Sequence, residues 1–478
     1  MKTGQPVTMP DSYTRFFPAA ATASPLNPGD AVTNIKETVK RPALPSLKNV
    51  SKAQAQDGGN LYGYLYYYQN DALEQGFYRV NPESGQGTHL WTDFYTDWSV
   101  VMTGGWLREG RVCALSSMNF MGGVLAYIYG EYDFNTGEVL DMQQLRIAAD
   151  NLVNMYLTSA YCELDDRIYG YGYGPDGSTF CFKSADATDI DGSEIVRDVD
   201  YNNVCVALCY NSQENMFYGV TTKGMFVSVD HQGNQTEIFE VELPNLSATI
   251  TGLAYDPATG VYVWNPFFSN QETGIYNIDA AAQTITKVAT TPSGENYIYL
   301  INTLDNVAKD APAIAKFDGF DFAGTALSGS VKYTLPGQTY EGNPITGDLD
   351  WEFRIDGEIS LTGKAAPGSA LTAEAKDLTN GKHTFALTTI KDGKRSLALV
   401  KTTWIGSDTP ETPANVSLTN DKATWDAVTS SVHDGYVDYS ALKYVVYLND
   451  EKVGETQQTE IDITLPVERP FNSYKVYV

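Results

Sequence analysis

Histidine is scarce in this chain: His89, His231, His383 and His433 are the only four in 478 residues. A Ser-His-Asp triad or a histidine-rich metal site has little to draw on, and none of the four has an evident partner in the sequence. There are five cysteines, Cys113, Cys162, Cys181, Cys205 and Cys209, and no Cys-x-x-Cys pair. That spacing gives no zinc-finger pattern and fits small apolar residues in strands, with a Cys162–Cys181 disulfide left open. Basic residues number 32 against 59 acidic, for a net charge of −27. A chain of that sign is repelled by nucleic acid and by anionic membrane surfaces. No apolar run reaches ~18 residues, so no transmembrane helix is expected. The first residues are not followed by the apolar segment of a signal peptide. The chain also lacks a Walker loop, a Gly-x-Ser-x-Gly elbow and a His-Glu-x-x-His helix, and no cofactor or metal is expected.

Aromatics are plentiful instead, with 32 Tyr, 19 Phe and 7 Trp. Such residues fit the pleated, half-buried surface of strands. Several segments share one layout, a strand ending in a small residue and an aromatic, then a polar turn and a second strand. The pairs are Gly105-Trp106, Ala160-Tyr161, Cys209-Tyr210 and Ala254-Tyr255, with aromatics 55, 49 and 45 residues apart. Second strands follow at Arg167–Gly170, Met216–Gly219 and Gly260–Val263, and Leu61–Tyr64 fits the same slot. Hairpins then turn at 81–85, 135–137, 231–234 and 279–281, where Asn, Asp and Gly cluster. Four strands per ~45–50 residues, repeated, describe propeller blades. The fold class is therefore all-β, with a β-propeller over residues 59–305; five blades are favoured and six is the alternative. The first unit lacks an opening strand, and Tyr297–Leu300 is placed to supply it, which would close the ring and leave no free edge. Residues 1–58, rich in Pro, Ala, Thr and Ser, read as an extended N-terminal arm.

A linker at 306–312 ends the repeats. Residues 313–407 carry the strict alternation Trp351-Glu352-Phe353-Arg354-Ile355 and the run Gly381–Leu387, and read as an immunoglobulin-like sandwich. A Pro-rich linker at 408–413 precedes a last module, 413–478. There Val416-Ser417-Leu418, Ala423–Ala427 around Trp425, Tyr444–Tyr447, Leu465-Pro466 and Tyr474–Val478 resemble the strands of a fibronectin type III domain. The final strand of such a domain is missing after Val478, so the sequence is read as part of a longer multi-module protein. A propeller followed by tandem immunoglobulin-like modules resembles secreted or surface-anchored proteins of Bacteroidetes-type bacteria. That resemblance implies an extracellular or cell-surface location and, in many members, a non-catalytic binding or adhesive role.

No constellation in the chain compels catalysis. Asp93, Asp97, Asp198 and Asp200 fall in expected blade-to-blade loops, and paired carboxylates at a funnel mouth would make a glycoside hydrolase or lyase. They are read as solvated. Asp189-Ile190-Asp191-Gly192-Ser193-Glu194 looks like part of a calcium loop but is read as an exposed acidic turn between third and fourth strands. Strand order puts second-to-third-strand loops and blade-to-blade loops on one face. Tyr68, Phe94, Tyr95, Trp98, Phe120, Phe267 and Phe268 lie in them, with Asn119, Asn202, Asn203 and Asn270. Flat rings and amides suit a glycan or protein ligand, although the same rings also serve as packing between blades. The expected function is non-catalytic binding through this face; a carbohydrate-active enzyme and a structural scaffold are the alternatives.

Overall fold

The computed structural model describes residues 61–477 apart from 67–75, 93–98, 109, 121–122, 146–151, 176, 249, 269–273, 292–296, 302–307, 420, 449 and 465–473. The N-terminal arm lies outside them. The chain divides into two units: one runs to Pro312 and adds Thr339–Asn343 and Asp392–Leu397, and the other holds the remainder. The described residues are strand, turn and short 3-10 segments, with no α-helix and no helix long and apolar enough to cross a membrane.

Twenty strands of the first unit form five antiparallel, four-stranded sheets. They begin with β1 (Leu61–Tyr66), β2 (Gly76–Val80) and β3 (Gly87–Trp91). A second group is β4 (Ser99–Arg108), β5 (Arg111–Phe120), β6 (Gly123–Asp133) and β7 (Val139–Gln144). A third is β8 (Tyr156–Cys162), β9 (Arg167–Tyr173), β10 (Phe180–Asp186) and β11 (Asp189–Val199). A fourth is β12 (Cys205–Asn211), β13 (Met216–Thr221), β14 (Met225–Val229) and β15 (Gln235–Glu240). The last is β16 (Leu253–Asp256), β17 (Val261–Trp264), β18 (Ile275–Asp279) and β19 (Thr284–Ala289), followed by β20 (Tyr297–Ile301). The second to fifth sheets are simple meanders, while the first has the order β20-β1-β2-β3. Tyr64 lies opposite Tyr299 and Gly63 opposite Leu300 in that pairing. The strand expected to complete the first unit from the far end of the repeats is thus where the sequence put it.

The repeated aromatics explain how the sheets stack. Trp91 lies on Tyr132 between first and second sheets, with ring centres 5.6 Å apart. Trp106 lies 6.1 Å from Tyr161 between second and third, Tyr169 4.8 Å from Phe217 between third and fourth, and Tyr218 4.7 Å from Tyr262 between fourth and fifth. Leu61, Tyr78 and Val80 of the first sheet share a core with Ala254, Val263 and Ile275 of the fifth. Stacked and tilted aromatic pairs at these distances each add about 0.5–1.5 kcal/mol beyond area burial. A buried ion pair adds a polar tie: Arg108 donates from Nε and Nη2 to the two Asp166 oxygens at 2.7 and 2.9 Å, joining β4 to the β8–β9 turn.

In the second unit, two sheets close over Val331, Tyr333, Leu349, Phe353, Ala373, Phe385 and Leu387. Strict alternation in Leu349–Ile355 buries Leu349 and Phe353, whereas Gly381–Lys391 is central in its sheet and buries consecutive residues. A second pair of three-stranded sheets encloses Ala423, Trp425, Tyr444, Val446 and Ile463. The Pro-rich segment between the two cores is pinned. Ser407 bridges Tyr436 and Pro410 bridges Ser431, and the Trp404 and His433 rings stack 4.0 Å apart. The Asp408 side chain has no exposed surface; it accepts from the backbone N–H of His433 and Gly435 at 2.9 and 3.0 Å and lies 2.7 Å from His433 Nδ1. Burial opposes its charge, yet these hydrogen bonds hold the carboxyl well below the usual carboxylate range.

Candidate functional site

The ends of the five sheets carry two different sets of turns. At one end lie the second-to-third-strand turns and the connections between sheets, the face expected to bind ligand. On the fourth sheet this end holds a cavity of about 210 Å³. One wall is Thr221–Gly224, the turn between β13 and β14; the other is Val241, Leu243 and Leu246–Ala248, on the way from β15 to β16. Gly224 is needed at the corner because its φ of +84° is a region that side chains disfavour. Its carbonyl accepts from the Val241 N–H at 2.7 Å, which clamps the two walls together. Lys223 at the rim is ion-paired with Glu237.

Two sequence-selected segments flank these walls. Tyr201–Asn203 is a 3-10 turn between β11 and β12, capped by Asp200, whose Oδ1 accepts from the Asn202 N–H. Thr222 donates from Oγ1 to the Tyr201 carbonyl at 2.6 Å. Asn202 is exposed; Asn203 is half-buried and its carbonyl accepts from Gln235 Nε2. On the other side the Phe267 carbonyl accepts from the Ser247 N–H at 2.9 Å, and Phe268 bridges Leu246. Phe267 is half-buried. Phe268 is 2% exposed and packs on Tyr276, so it supports the wall rather than offering a surface. Asn119 and Phe120 fall within β5 rather than in a loop, opposite Ser99 and Gly123. Tyr68, Phe94, Tyr95, Trp98 and Asn270 lie outside the described residues. The cavity-lining Thr221, Thr222, Lys223 and Ser247 were not selected from sequence, because single hydroxyl residues at turns carry no distinguishing pattern.

Of the four carboxylates considered for catalysis, Asp198 and Asp200 are among the described residues. Asp200 is used as the cap just described, and Asp198 is exposed on β11 opposite Cys181. Asp93 and Asp97 lie outside the described residues. The segment Asp189–Glu194 is the start of β11 itself, not a turn, and Asp191 accepts from Asn154 Nδ2 at 3.1 Å. It reads as polar because an outermost strand leaves its charges in water.

At the opposite end, the β8–β9 turn gathers acids that sequence did not single out. Glu163 is buried, and burial pushes its carboxyl up to about 7 against a hydrogen bond from Ser212. Every histidine has a polar neighbour, contrary to the sequence expectation. His89 Nε2 lies 3.0 Å from Thr92 Oγ1, His383 Nδ1 2.7 Å from Asp356, and His433 is on Asp408. His231 Nε2 lies 3.7 Å from Cys162 Sγ and 4.0 Å from Asp165 Oδ2. All five cysteines are free and buried.

No family model matches the chain, and no curated protein matches it in sequence. Among solved structures it is similar to an exo-β-1,3-galactanase from Phanerochaete chrysosporium, at 8% identity over 66% of this chain and 97% of that one, with a TM-score of 0.32. A mitotic checkpoint complex structure aligns at 12% identity over 56% of this chain and 98% of that one, with a TM-score of 0.27. The rat CD45 extracellular region, domains d3-d4, aligns at 12% identity over 23% of this chain, with a TM-score of 0.15. The chain spans about half the length of that CD45 structure, 55%. Likeness at this level assigns neither a family nor an activity.

Proposed function

We propose that this chain is a non-catalytic extracellular or cell-surface binding protein. In this reading the five sheets are the blades of a β-propeller. The two paired-sheet cores that follow are immunoglobulin-like, the second of them a fibronectin type III domain, and they give the propeller reach. The loop face takes a glycan or a protein. The observation that carries the reading is the cavity between Thr221–Gly224 and Leu243–Ala248. It combines hydroxyls and a lysine with apolar walls, at the end where second-to-third-strand turns and sheet-to-sheet connections lie. Its volume, about 210 Å³, is below the ~300–1,000 Å³ of sites for drug-sized ligands. It suits one sugar ring or one side chain, with the rest of the ligand lying across neighbouring loops.

The test is retention of the full chain on a panel of polysaccharides and glycoproteins, with product analysis on every positive. Ala248→Trp fills the cavity and serves as the control. Retention without cleavage, lost in Ala248→Trp, is the expected result. Cleavage of any retained polysaccharide would replace this reading with a carbohydrate-active enzyme. Retention unaffected by Ala248→Trp would move the ligand off this cavity.

A further inference from the structure

Cys162 ends β8, Asp165 sits on the β8–β9 turn, and His231 is on the β14–β15 turn of the next sheet. They are up to 69 residues apart in sequence, yet their donor atoms all lie within 4.8 Å of one another. They belong to the end of the sheets away from the ligand cavity. We propose that Cys162 Sγ, Asp165 carboxylate and His231 Nε2 form a binding site for a zinc-class divalent cation, which would staple the third sheet to the fourth.

The donor set selects the ion. A thiolate and an imidazole with a single carboxylate suit zinc and neighbouring transition metals, not calcium or magnesium, which take oxygen. The spacing suits it as well. With Zn–S near 2.3 Å and Zn–N near 2.0–2.1 Å, a tetrahedral ion holds its sulfur and nitrogen ligands about 3.6 Å apart. The observed Sγ to Nε2 separation is 3.7 Å. The Nε2 to Oδ2 distance of 4.0 Å closes with a small swing of the carboxylate.

The surroundings hold these donors in place, as outer partners do in metal sites. Asp165 accepts from Tyr169 Oη at 2.7 Å and from the Arg167 N–H at 3.1 Å. The His231 ring is boxed by Tyr169 and Phe217, with ring centres 5.1 and 5.2 Å away. Cys162 is fully buried, whereas His231 keeps 21% of its side-chain surface exposed, which leaves an entry path. Cation uptake releases the thiol proton to solvent and forms the metal–sulfur bond in its place. The fourth coordination position falls to water.

The test uses the full chain, stripped with a chelator under a phosphine reductant and titrated with Co(II), then Zn(II). One equivalent of Co(II) is expected to give a thiolate-to-cobalt charge-transfer band, bleached by one equivalent of Zn(II). Cys162→Ser should abolish the band and Cys181→Ser should leave it intact. His231→Gln, at a part-exposed position, should weaken Co(II) binding at least tenfold while retaining the fold. Zn(II) should raise the melting temperature of the natural chain and not of Cys162→Ser. No band in the natural chain, or a band that survives Cys162→Ser, would overturn the site. Should Cys162→Ser fail to fold, unchanged Co(II) affinity in His231→Gln would overturn it equally.

Discussion

His383 is 5% exposed and its Nδ1 lies 2.7 Å from Asp356 Oδ2, while Nε2 faces the Thr379 carbonyl at 2.9 Å. The Asp356 hydrogen bond raises its pKa above the ordinary 6.5, against the opposing effect of burial. A raised histidine favours the fold only while its charge is held. The contribution is therefore complete below about pH 6.5 and is lost as pH climbs through the folded-state value. Melts of the full chain between about pH 5 and 9 should show the transition of the C-terminal unit falling above pH ~6.5, and Asp356→Asn should flatten that slope. Arg108 and Asp166 make the stronger residue-scale case, because their side chains are 9% and 1% exposed. Arg108→Ala takes the guanidinium away from a buried carboxylate that also accepts from Tyr161 Oη at 2.8 Å. The expected loss is about 3–5 kcal/mol, read as a drop in the urea midpoint of the N-terminal unit. Neither pair was legible in sequence, since the partners are 27 and 58 residues apart with strands between them, and polar residues at turns look alike whether or not they meet.

Glycines in the second strands show what the repeat encodes at the scale of elements. The register between β8 and β9 slips between Tyr156 and Thr158, and that between β12 and β13 slips between Cys205 and Ala207. Each bulge pushes first-strand backbone towards the second strand. A Cβ on Gly170 would stand 2.1 Å from the Thr158 carbonyl oxygen, and one on Gly219 would stand 2.6 Å from that of Ala207. Gly170→Ala should thus cost roughly 1–3 kcal/mol, the usual penalty of overpacking. Gly337→Ala, with nothing within 4 Å of its added Cβ, should stay within about 0.5 kcal/mol of the natural chain. Comparative urea denaturation settles both. Strand positions were readable in sequence for this reason: small residue, aromatic and glycine recur because every sheet solves the same packing problem. The β10–β11 turn lies at 187–188, before the Asp189–Glu194 segment that the sequence reading took for it, because β11 is an outermost strand. Its run Glu194–Asp198 is exposed throughout, so apolar alternation fades.

Across the whole molecule, the repeats and the paired cores were legible while the candidate sites were only partly so. A loop face follows from strand order, but which loops leave a cavity depends on side chains that meet across the β13–β14 turn and the β15–β16 connection. Charge then narrows what the cavity accepts. The chain carries −27 overall, and the one lysine lining the cavity is already neutralised by Glu237. A neutral ligand meets little electrostatic bias there, while an anionic one must approach a strongly negative surface. The Debye length falls from ~10 Å at 0.1 M salt to ~3 Å at 1 M, so salt separates the cases. Affinity for a neutral glycan is expected to change less than about twofold over that range, since no counterion is released on binding. A sulfated or uronic-acid polymer would instead bind more tightly as salt rises, because screening removes the repulsion. Affinity that collapses with salt would mean a cationic partner, such as a basic protein segment, and would shift the ligand from glycan to protein.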